Sequence, residues 1–289
     1  MDGLVAPDAV HDGAPVSTRF WKMTGSGNDF VMLDGRHTSA AEWPAQRIAA
    51  ACHRRNGAGA DGLVILTPEA EGVVRMVYHN SDGSQAAMCG NAALCSTRLA
   101  ARLGMASERG MELRTPVGPM RTRCVGPVQD AEINLAPTTV PRPVTVPLEP
   151  GEEPMVLGTV GVPHLIVFVP DVGAVDVERR GRELRHSPAV GPEGANVNFV
   201  SPPTSRSQGR WRIRTFERGV EGETLACGTG TAAAALAIAA AGRAPLPVDF
   251  LSSGRMPLTV RATLSGTRAT DLWLQGEGRL VYEGFLIDL

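Results

Sequence analysis

Two cysteines, Cys89 and Cys227, each stand directly before a glycine and a run of helix-forming residues. The two segments read CGNAALCSTRLAARLG and CGTGTAAAALAIAAAG, and they end at Gly104 and Gly242. Each run predicts a helix that begins at its cysteine. The first N–H groups of a helix lack partners and carry partial positive charge, so each helix start favours an anion such as a carboxylate.

The glycines that follow the two cysteines, Gly90 and Gly228, have no Cβ and would let a carboxylate approach the backbone closely. If the two helix starts face each other, one thiolate can remove a proton from the carbon beside that carboxylate. The other thiol can return a proton to the opposite face, so the predicted chemistry is inversion of a stereocentre. A free cysteine has a pKa of about 8.5, and a helix dipole lowers it by roughly one and a half units. We therefore expect a thiolate poised near neutrality, in a closed, dry site that supplies the remaining stabilisation.

Sequence features recur at a nearly constant offset along the chain. Cys227 follows Cys89 by 138 residues, and GVPHLIVFV at Gly161 follows the similar GNDFVMLD at Gly27 by 134 residues. The stretch SGRMPLTVR resembles VGPMRTR, which lies 136 residues earlier. Their agreement in order and spacing indicates a duplicated unit of about half the chain.

The predicted fold is of the α/β (α+β) class, with two pseudo-symmetric domains. Each domain is a curled mixed or antiparallel sheet around a central helix. The predicted divisions are a flexible N-terminal tail (1–18), a first half (19–135), a proline-rich linker (136–154) and a second half (155–289).

Short β-branched runs bounded by Gly, Pro and Asn predict the strands. These are Phe30–Leu33, Val73–Tyr78, Ala131–Leu135, Leu165–Val169, Arg210–Phe216 and Leu258–Ala262. Further helices are predicted near Ala45–Cys52 and Val175–Leu184. The helix after Cys227 has no charge as far as Gly242, so it should be buried all round. Its counterpart carries Arg98 and Arg102, so one side should meet solvent or the other half.

Composition narrows the functional classes. A net charge of −2 does not indicate binding to nucleic acid or to an anionic membrane surface. No apolar run is long enough to span a membrane. The first residues carry acids and no basic region, so we expect no secretory signal. The five cysteines form neither a disulfide framework nor a metal-binding pair of the CxxC type, which predicts a cytoplasmic protein without a metal. Lys22 is the sole lysine and would be the sole residue able to hold pyridoxal phosphate, so we expect no cofactor.

Five motifs together resemble the diaminopimelate epimerase family. In chain order they are MTGSGNDFVMLD, RNGAGADGLVIL, YHNSDGSQAAMCGN, GANVNFV and ERGVEGETLACGTG, and they span about residues 22 to 240. The resemblance implies two pseudo-symmetric domains and cofactor-independent interconversion of LL- and meso-diaminopimelate. It also implies a place in lysine and peptidoglycan precursor synthesis.

The resemblance also assigns roles to particular residues. Cys89 and Cys227 match the two acid/base thiols. The residues that match the cradle for the reacting carboxylate are Gly90, Asn91, Gly228 and Thr229. The residues that match the polar set around the substrate are Asn28, Asn80, Asn196, Glu217 and Arg218. Arg218 and the amides suit the distal carboxylate of diaminopimelate, and Glu217 suits the distal ammonium. His164 matches a family histidine near the site.

The chain departs from the family pattern at three places. CGNAAL replaces the usual CGNGxR, which puts Ala92 and Leu94 after Cys89, and Val162 replaces the usual asparagine. One extra residue also lies between Arg218 and Gly222. None of these changes removes a thiol, but all of them bear on substrate choice.

Alternative functions therefore stay open. One alternative is a racemase of another amino acid, such as histidine or proline, on the same fold. A second is a non-catalytic amino-acid-binding homologue, and a thiol–disulfide oxidoreductase is a poorer third because no CxxC occurs. The expected partners are a small amino-acid substrate and a second copy of the chain in a homodimer, with no nucleic acid and no membrane.

Overall fold

The computed structural model describes residues 17–126 and 129–287. The first repeat of elements contains the strands β1 (Ser17–Gly25), β2 (Asn28–Asp34), β3 (Gly62–Ala70), β4 (Val73–Asn80), β5 (Gln85–Ala86), β6 (Met111–Thr115), β7 (Gly118–Val125) and β8 (Asp130–Leu135). Its helices are α1 (Ala45–Cys52) and α2 (Gly90–Arg102). Two short strands follow, β9 (Thr138–Thr139) and β10 (Arg142–Val144).

The second repeat has the same order of elements. Its strands are β11 (Met155–Val160), β12 (Val162–Phe168), β13 (Asn196–Ser201), β14 (Trp211–Glu217), β15 (Gly222–Thr224), β16 (Val248–Leu251), β17 (Pro257–Ser265) and β18 (Arg268–Glu277). Its helices are α3 (Val177–Arg185) and α4 (Gly228–Ala240), and β19 (Arg279–Ile287) ends the described chain.

Strand pairing repeats between the two units. β1 pairs antiparallel with β2, and β2 pairs parallel with β3, as β11 does with β12 and β12 with β13. Parallel neighbours need a crossover, which α1 supplies in the first unit and α3 in the second. The parallel pairs β4–β6 and β14–β16 need a second crossover, and these contain α2 and α4. The predicted duplication and fold class are thus confirmed by the topology.

Several strand pairs join the two units. β8 and β18 pair antiparallel and form a seam between them. β9, the strand after β8, also pairs with β18 and extends this seam. β10 then pairs with β11 of the second unit, and β19, the strand after β18, pairs with β1 of the first unit. The C-terminal strand therefore extends the sheet of the first unit, so the sheets do not divide cleanly at the predicted linker.

Both central helices are largely buried. α2 packs on β1, β7 and β8, and α4 packs on the equivalent β11, β17 and β18. Side chains of both helices belong to one continuous apolar core. As predicted, α4 is buried from Gly230 to Ile238, whereas Arg98 is partly exposed and Arg102 exposed on α2.

Both central helices end in the same way. Gly104 and Gly242 each adopt a left-handed conformation, with φ of 66°. The next residue in each case, Met105 or Arg243, donates its backbone N–H back to the last helical turn, at 2.8 and 3.0 Å. This arrangement satisfies carbonyls at the helix end and needs a residue without a Cβ, as the sequence predicted.

Several predicted boundaries shift. α1 has the predicted limits, whereas α3 begins at Val177 because the side chain of Asp176 caps it by accepting from the Arg179 backbone N–H. β1 begins at Ser17, so the predicted tail is two residues too long, and the rest of it (1–16) lies outside the described residues. The predicted linker contains β9 and β10; Pro143 is tolerated there because β10 pairs only with β11 among the described strands.

No helix in the described ranges is both long enough and apolar enough to cross a membrane.

Candidate active site

Cys89 and Cys227 are the N-cap residues of α2 and α4. Both have extended backbones, with φ and ψ of −139° and 120° at Cys89 and of −122° and 107° at Cys227. Each carbonyl accepts the first helical hydrogen bond, from Ala93 at 3.0 Å and from Thr231 at 2.9 Å. The predicted Cys-Gly helix starts are therefore present at equivalent positions of the two units.

Both helix starts lie against the seam between the units. A Cβ built on Gly90 would lie 3.6 Å from Ile133 Cδ1 on β8, and one built on Gly228 would lie 2.5 Å from Leu274 Cδ2 on β18. α2 and α4 also contact each other. The fold thus brings together two helix N-termini that are far apart in sequence.

The thiols are not poised near neutrality. Burial raises the pKa of Cys89 to about 11, although the backbone N–H groups of Ala92 and Asn91 act to lower it. Burial likewise raises the pKa of Cys227 to about 12, although the backbone N–H of Gly230 acts to lower it. The expectation from the helix dipole was therefore wrong. Loss of hydration destabilises the thiolate more than the hydrogen bonds from the helix N–H groups stabilise it.

Glu217, at the end of β14, interacts with both thiols. Its negative charge raises the pKa of Cys89 and of Cys227, and burial raises the pKa of Glu217 itself. The charge of Cys89 also contributes to the raised pKa of Cys227. The two thiols and this carboxylate therefore share one electrostatic environment.

Asn196 and Arg218 lie beside Cys227. The Arg218 backbone N–H donates to Asn196 Oδ1 at 2.7 Å, and Asn196 Nδ2 lies 4.0 Å from Cys227 Sγ. The Arg218 guanidinium contacts Glu193, at 3.3 Å from Nη1 to Oε2, and this carboxylate is largely exposed. Thr229 Oγ1 lies 3.7 Å from Cys227 Sγ. The structure thus places four predicted site residues around the second helix start.

Asn28 and Asn91 lie together at the first helix start. Asn91 Nδ2 donates to Asn28 Oδ1 at 2.7 Å, and Asn28 Nδ2 donates to Asp61 Oδ2 at 2.9 Å. Asn80 makes a separate hydrogen bond, since its amide donates to Ser84 Oγ at 3.0 Å within its own turn. Asp61 was not selected from the sequence, although it lies in the RNGAGADG motif.

Val162 occupies the position equivalent to Asn28. Asn28 begins β2 and Val162 begins β12, and each follows a glycine with positive φ. Gly161 lies close to the second helix start, since a Cβ built there would be 3.8 Å from Thr229 Cγ2. The substitution therefore removes an amide from one side of the pseudo-symmetric site.

The departures at Ala92 and Leu94 lie in the core. Ala92 and Leu94 are fully buried, and Leu94 packs against Gly276 and Gly278. They change the packing beneath α2 rather than the lining of the site.

His164 is also fully buried. Its Nδ1 lies 3.3 Å from Asn198 Nδ2, and its Nε2 has no hydrogen-bond partner within the described ranges. Burial lowers the pKa of His164 to about 3, so the ring is neutral at physiological pH.

Lys22, the sole lysine, is buried and paired. Its Nζ lies 2.7 Å from Asp29 Oδ2 and donates to the Gly59 carbonyl. In residues 17–126 and 129–287, no group of three His, Cys, Asp or Glu side chains is arranged to hold a metal ion.

Solved structures of low sequence identity share this fold. A phenazine biosynthesis protein of the PhzF family from Bacillus anthracis superposes with a TM-score of 0.73 at 14% identity, over 93% of this chain and 99% of that chain. A hydroxyproline epimerase from Agrobacterium vitis superposes with a TM-score of 0.64 at 18% identity, over 94% of this chain and 92% of that chain.

Sequence relatives identify the family more closely. A diaminopimelate epimerase of Gemmatimonas aurantiaca is 46% identical over 285 residues, covering 93% of this chain and 99% of the relative. A diaminopimelate epimerase of Aquifex aeolicus is 34% identical, covering 92% of this chain and 97% of the relative. The family model for diaminopimelate epimerase matches residues 20–135 and 156–264. The family predicted from the motifs is confirmed, and the chain belongs to the diaminopimelate epimerase family.

Proposed function

We propose that this protein is an isomerase that converts LL-diaminopimelate into meso-diaminopimelate by proton transfer between Cys89 and Cys227. The observation that carries the proposal is the pairing of two cysteine N-caps, one from each pseudo-symmetric unit, at one seam. Relatives that cover nearly the whole chain are diaminopimelate epimerases.

In this mechanism the reacting carboxylate binds between the two helix starts. The backbone N–H groups that would receive it are those of Gly90, Asn91, Gly228 and Thr229. These groups and the two helix dipoles stabilise the negative charge that develops as the Cα proton leaves. One thiolate removes that proton, and the opposite thiol donates its own, which inverts the carbon.

The raised pKa values require a step that forms the thiolate. Glu217 opposes ionisation of both thiols, so neutralising its charge lowers both pKa values. A substrate ammonium group bound by Glu217 would do this when the substrate arrives. The closeness of Glu217 to both thiols favours the ammonium at the reacting carbon over the distal one assigned from the resemblance.

The distal amino-acid end needs its own contacts. Arg218 and Asn196 are joined beside Cys227, and the Arg218 guanidinium can pair with a carboxylate in place of Glu193. Asn28 and Asn80 complete the proposed polar set, without the amide that Val162 replaces.

The test is proton exchange at Cα in heavy water, followed by NMR over diaminopimelate, lysine, histidine and proline. We expect exchange with diaminopimelate alone. Exchange with proline or histidine alone would establish the racemase alternative, and binding without exchange would establish the non-catalytic one.

The proposal extends to cellular context. A thiol pair that must stay reduced suits the cytoplasm and the lysine and peptidoglycan precursor pathways. A homodimer is supported by β19, which pairs only with β1 among the described strands and exposes Val281, Phe285 and Ile287. Sedimentation of the wild type and of a Phe285→Lys variant tests the dimer.

A further inference from the structure

Asp61 lies at the centre of an ion-pair and hydrogen-bond network behind the first helix start. Arg54 Nη2 donates to Asp61 Oδ1 at 2.6 Å, and Arg54 also binds both carboxylate oxygens of Asp29, at 2.8 and 2.9 Å. Asp29 is held in turn by Lys22, with a distance of 2.7 Å. The Asp29 backbone N–H donates to Asp61 Oδ2 at 3.2 Å. The Asp61 carboxylate is therefore fixed from several directions.

This carboxylate determines how the Asn28 amide must be oriented. An ionised carboxylate only accepts hydrogen bonds, so Asn28 must present its NH₂ group to Asp61, at 2.9 Å. The carbonyl oxygen of Asn28 then faces Asn91, which must present its own NH₂ group, at 2.7 Å. One charge thus sets the direction of two amides in series.

The series ends in an acceptor without a donor. Asn91 is 4% exposed, and its Oδ1 is buried without a hydrogen-bond partner in the described part of the chain. Leaving a buried carbonyl oxygen unpaired is unfavourable, so such an atom in a native site calls for a partner from a ligand. Asn91 is the second residue of α2, two positions after Cys89, where the reacting carbon is proposed to lie.

We propose that Asp61 is a positioning residue which, through Asn28, directs Asn91 Oδ1 to accept an N–H of the substrate amino group at the reacting carbon. The inference rests on the proposed function and deepens it. An ammonium has three N–H donors, so Asn91 and Glu217 can bind it together. Asp61 does not itself touch the substrate.

The variant that tests this is Asp61→Asn, which keeps the shape but can donate as well as accept. The Asn28 amide is then free to rotate by half a turn. The Asn91 amide is therefore no longer held with its Oδ1 toward the substrate. We expect KM for diaminopimelate to rise by about tenfold or more while kcat changes by less than about threefold. Asn91→Ala should raise KM in the same way, which provides a second route if Asp61→Asn folds poorly.

A ligand without the reacting amino group separates positioning from a structural role. 2-Aminopimelate has an amino acid at one end and a plain carboxylate at the other. As a competitive inhibitor with its amino acid in the distal site, it offers no N–H to Asn91. We therefore expect its inhibition constant to be unchanged in Asp61→Asn.

The control is Asp34→Asn, which disrupts another carboxylate–arginine pair, with Arg36, that has no side-chain hydrogen bond to Asn28 or Asp61 among the described residues. It should alter the melting temperature without altering KM. An Asp61→Asn enzyme with wild-type KM, or one that weakens diaminopimelate and 2-aminopimelate equally, would overturn the inference alone. Absence of Cα exchange by the wild type would instead overturn the proposed function, and the inference with it.

Discussion

Ile133 on β8 lies directly opposite Leu274 on β18 in the antiparallel seam between the two units. These two side chains are the ones that lie against Gly90 and Gly228. Opposed residues in an antiparallel pair have Cα atoms about 4.5–5.5 Å apart, so the seam sets how far apart the two helix starts can be. A single cross-strand pair therefore brings the two Cys-Gly turns to one place.

The seam predicts different responses to adding one methyl group. In Gly228→Ala the new Cβ would lie 2.5 Å from the buried Leu274, whereas in Gly90→Ala it would meet only Ile133 at 3.6 Å. We expect Gly228→Ala to lower the free energy of unfolding by about 1–3 kcal/mol through overpacking, and Gly90→Ala to change it far less. Urea denaturation measures both losses. Gly228→Ala should cost less stability in a Leu274→Ala background, where the clashing side chain is absent. Equal losses in the two single variants would show that the contact does not govern the helix starts.

The two-thiol mechanism predicts that neither cysteine can act alone. Cys89→Ala and Cys227→Ala should each lower epimerisation by at least about a thousandfold, because one face of the carbon then has no proton donor or acceptor. Both should melt within a few degrees of the wild type. Cys124→Ala, at a half-buried thiol on β7, is the matched control and should retain activity. Ordinary turnover by either site variant would rule out two-base transfer.

Glu217 predicts a shift in thiol reactivity with pH. Its negative charge raises the pKa of both thiols, so Glu217→Gln should lower both pKa values and form thiolate at lower pH. The curve of iodoacetamide alkylation rate against pH should therefore move to lower pH at Cys89 and Cys227, as measured by mass spectrometry of their peptides. Glu221→Gln, which alters an exposed carboxylate, should leave the curve in place. A shift to higher pH would contradict the assigned electrostatics.

His164 predicts a loss of stability in mild acid. Its pKa falls from 6.5 to about 3 on folding, so between these values the unfolded chain binds a proton that the folded chain does not. Stability therefore decreases as pH falls below 6.5, by about 1.4 kcal/mol per pH unit from this group, and the contribution vanishes above that pH. Denaturant unfolding at pH 7 and pH 5 should show a smaller loss for His164→Gln than for the wild type. Equal losses would mean that His164 takes up a proton without penalty.

The sequence alone determined the local features of this protein. The Cys-Gly helix starts, the glycine helix ends and the burial of α4 follow from residue type and helical periodicity, and the structure contains all three. The offset repeats predicted two similar units, and the motifs predicted the family. These properties depend on neighbours within a few turns, or on comparison of one segment with another.

The way the two units meet, and its effect on the site, follow from long-range contacts that form only on folding. The exchange of β10 and β19 and the opposition of Ile133 to Leu274 depend on pairing between distant strands, which no local pattern encodes. The ionisation of Cys89 and Cys227 was mispredicted for the same reason. A helix start lowers a thiol pKa through adjacent N–H groups, but burial and the charge of Glu217 come from segments brought in by folding, and together they outweigh it.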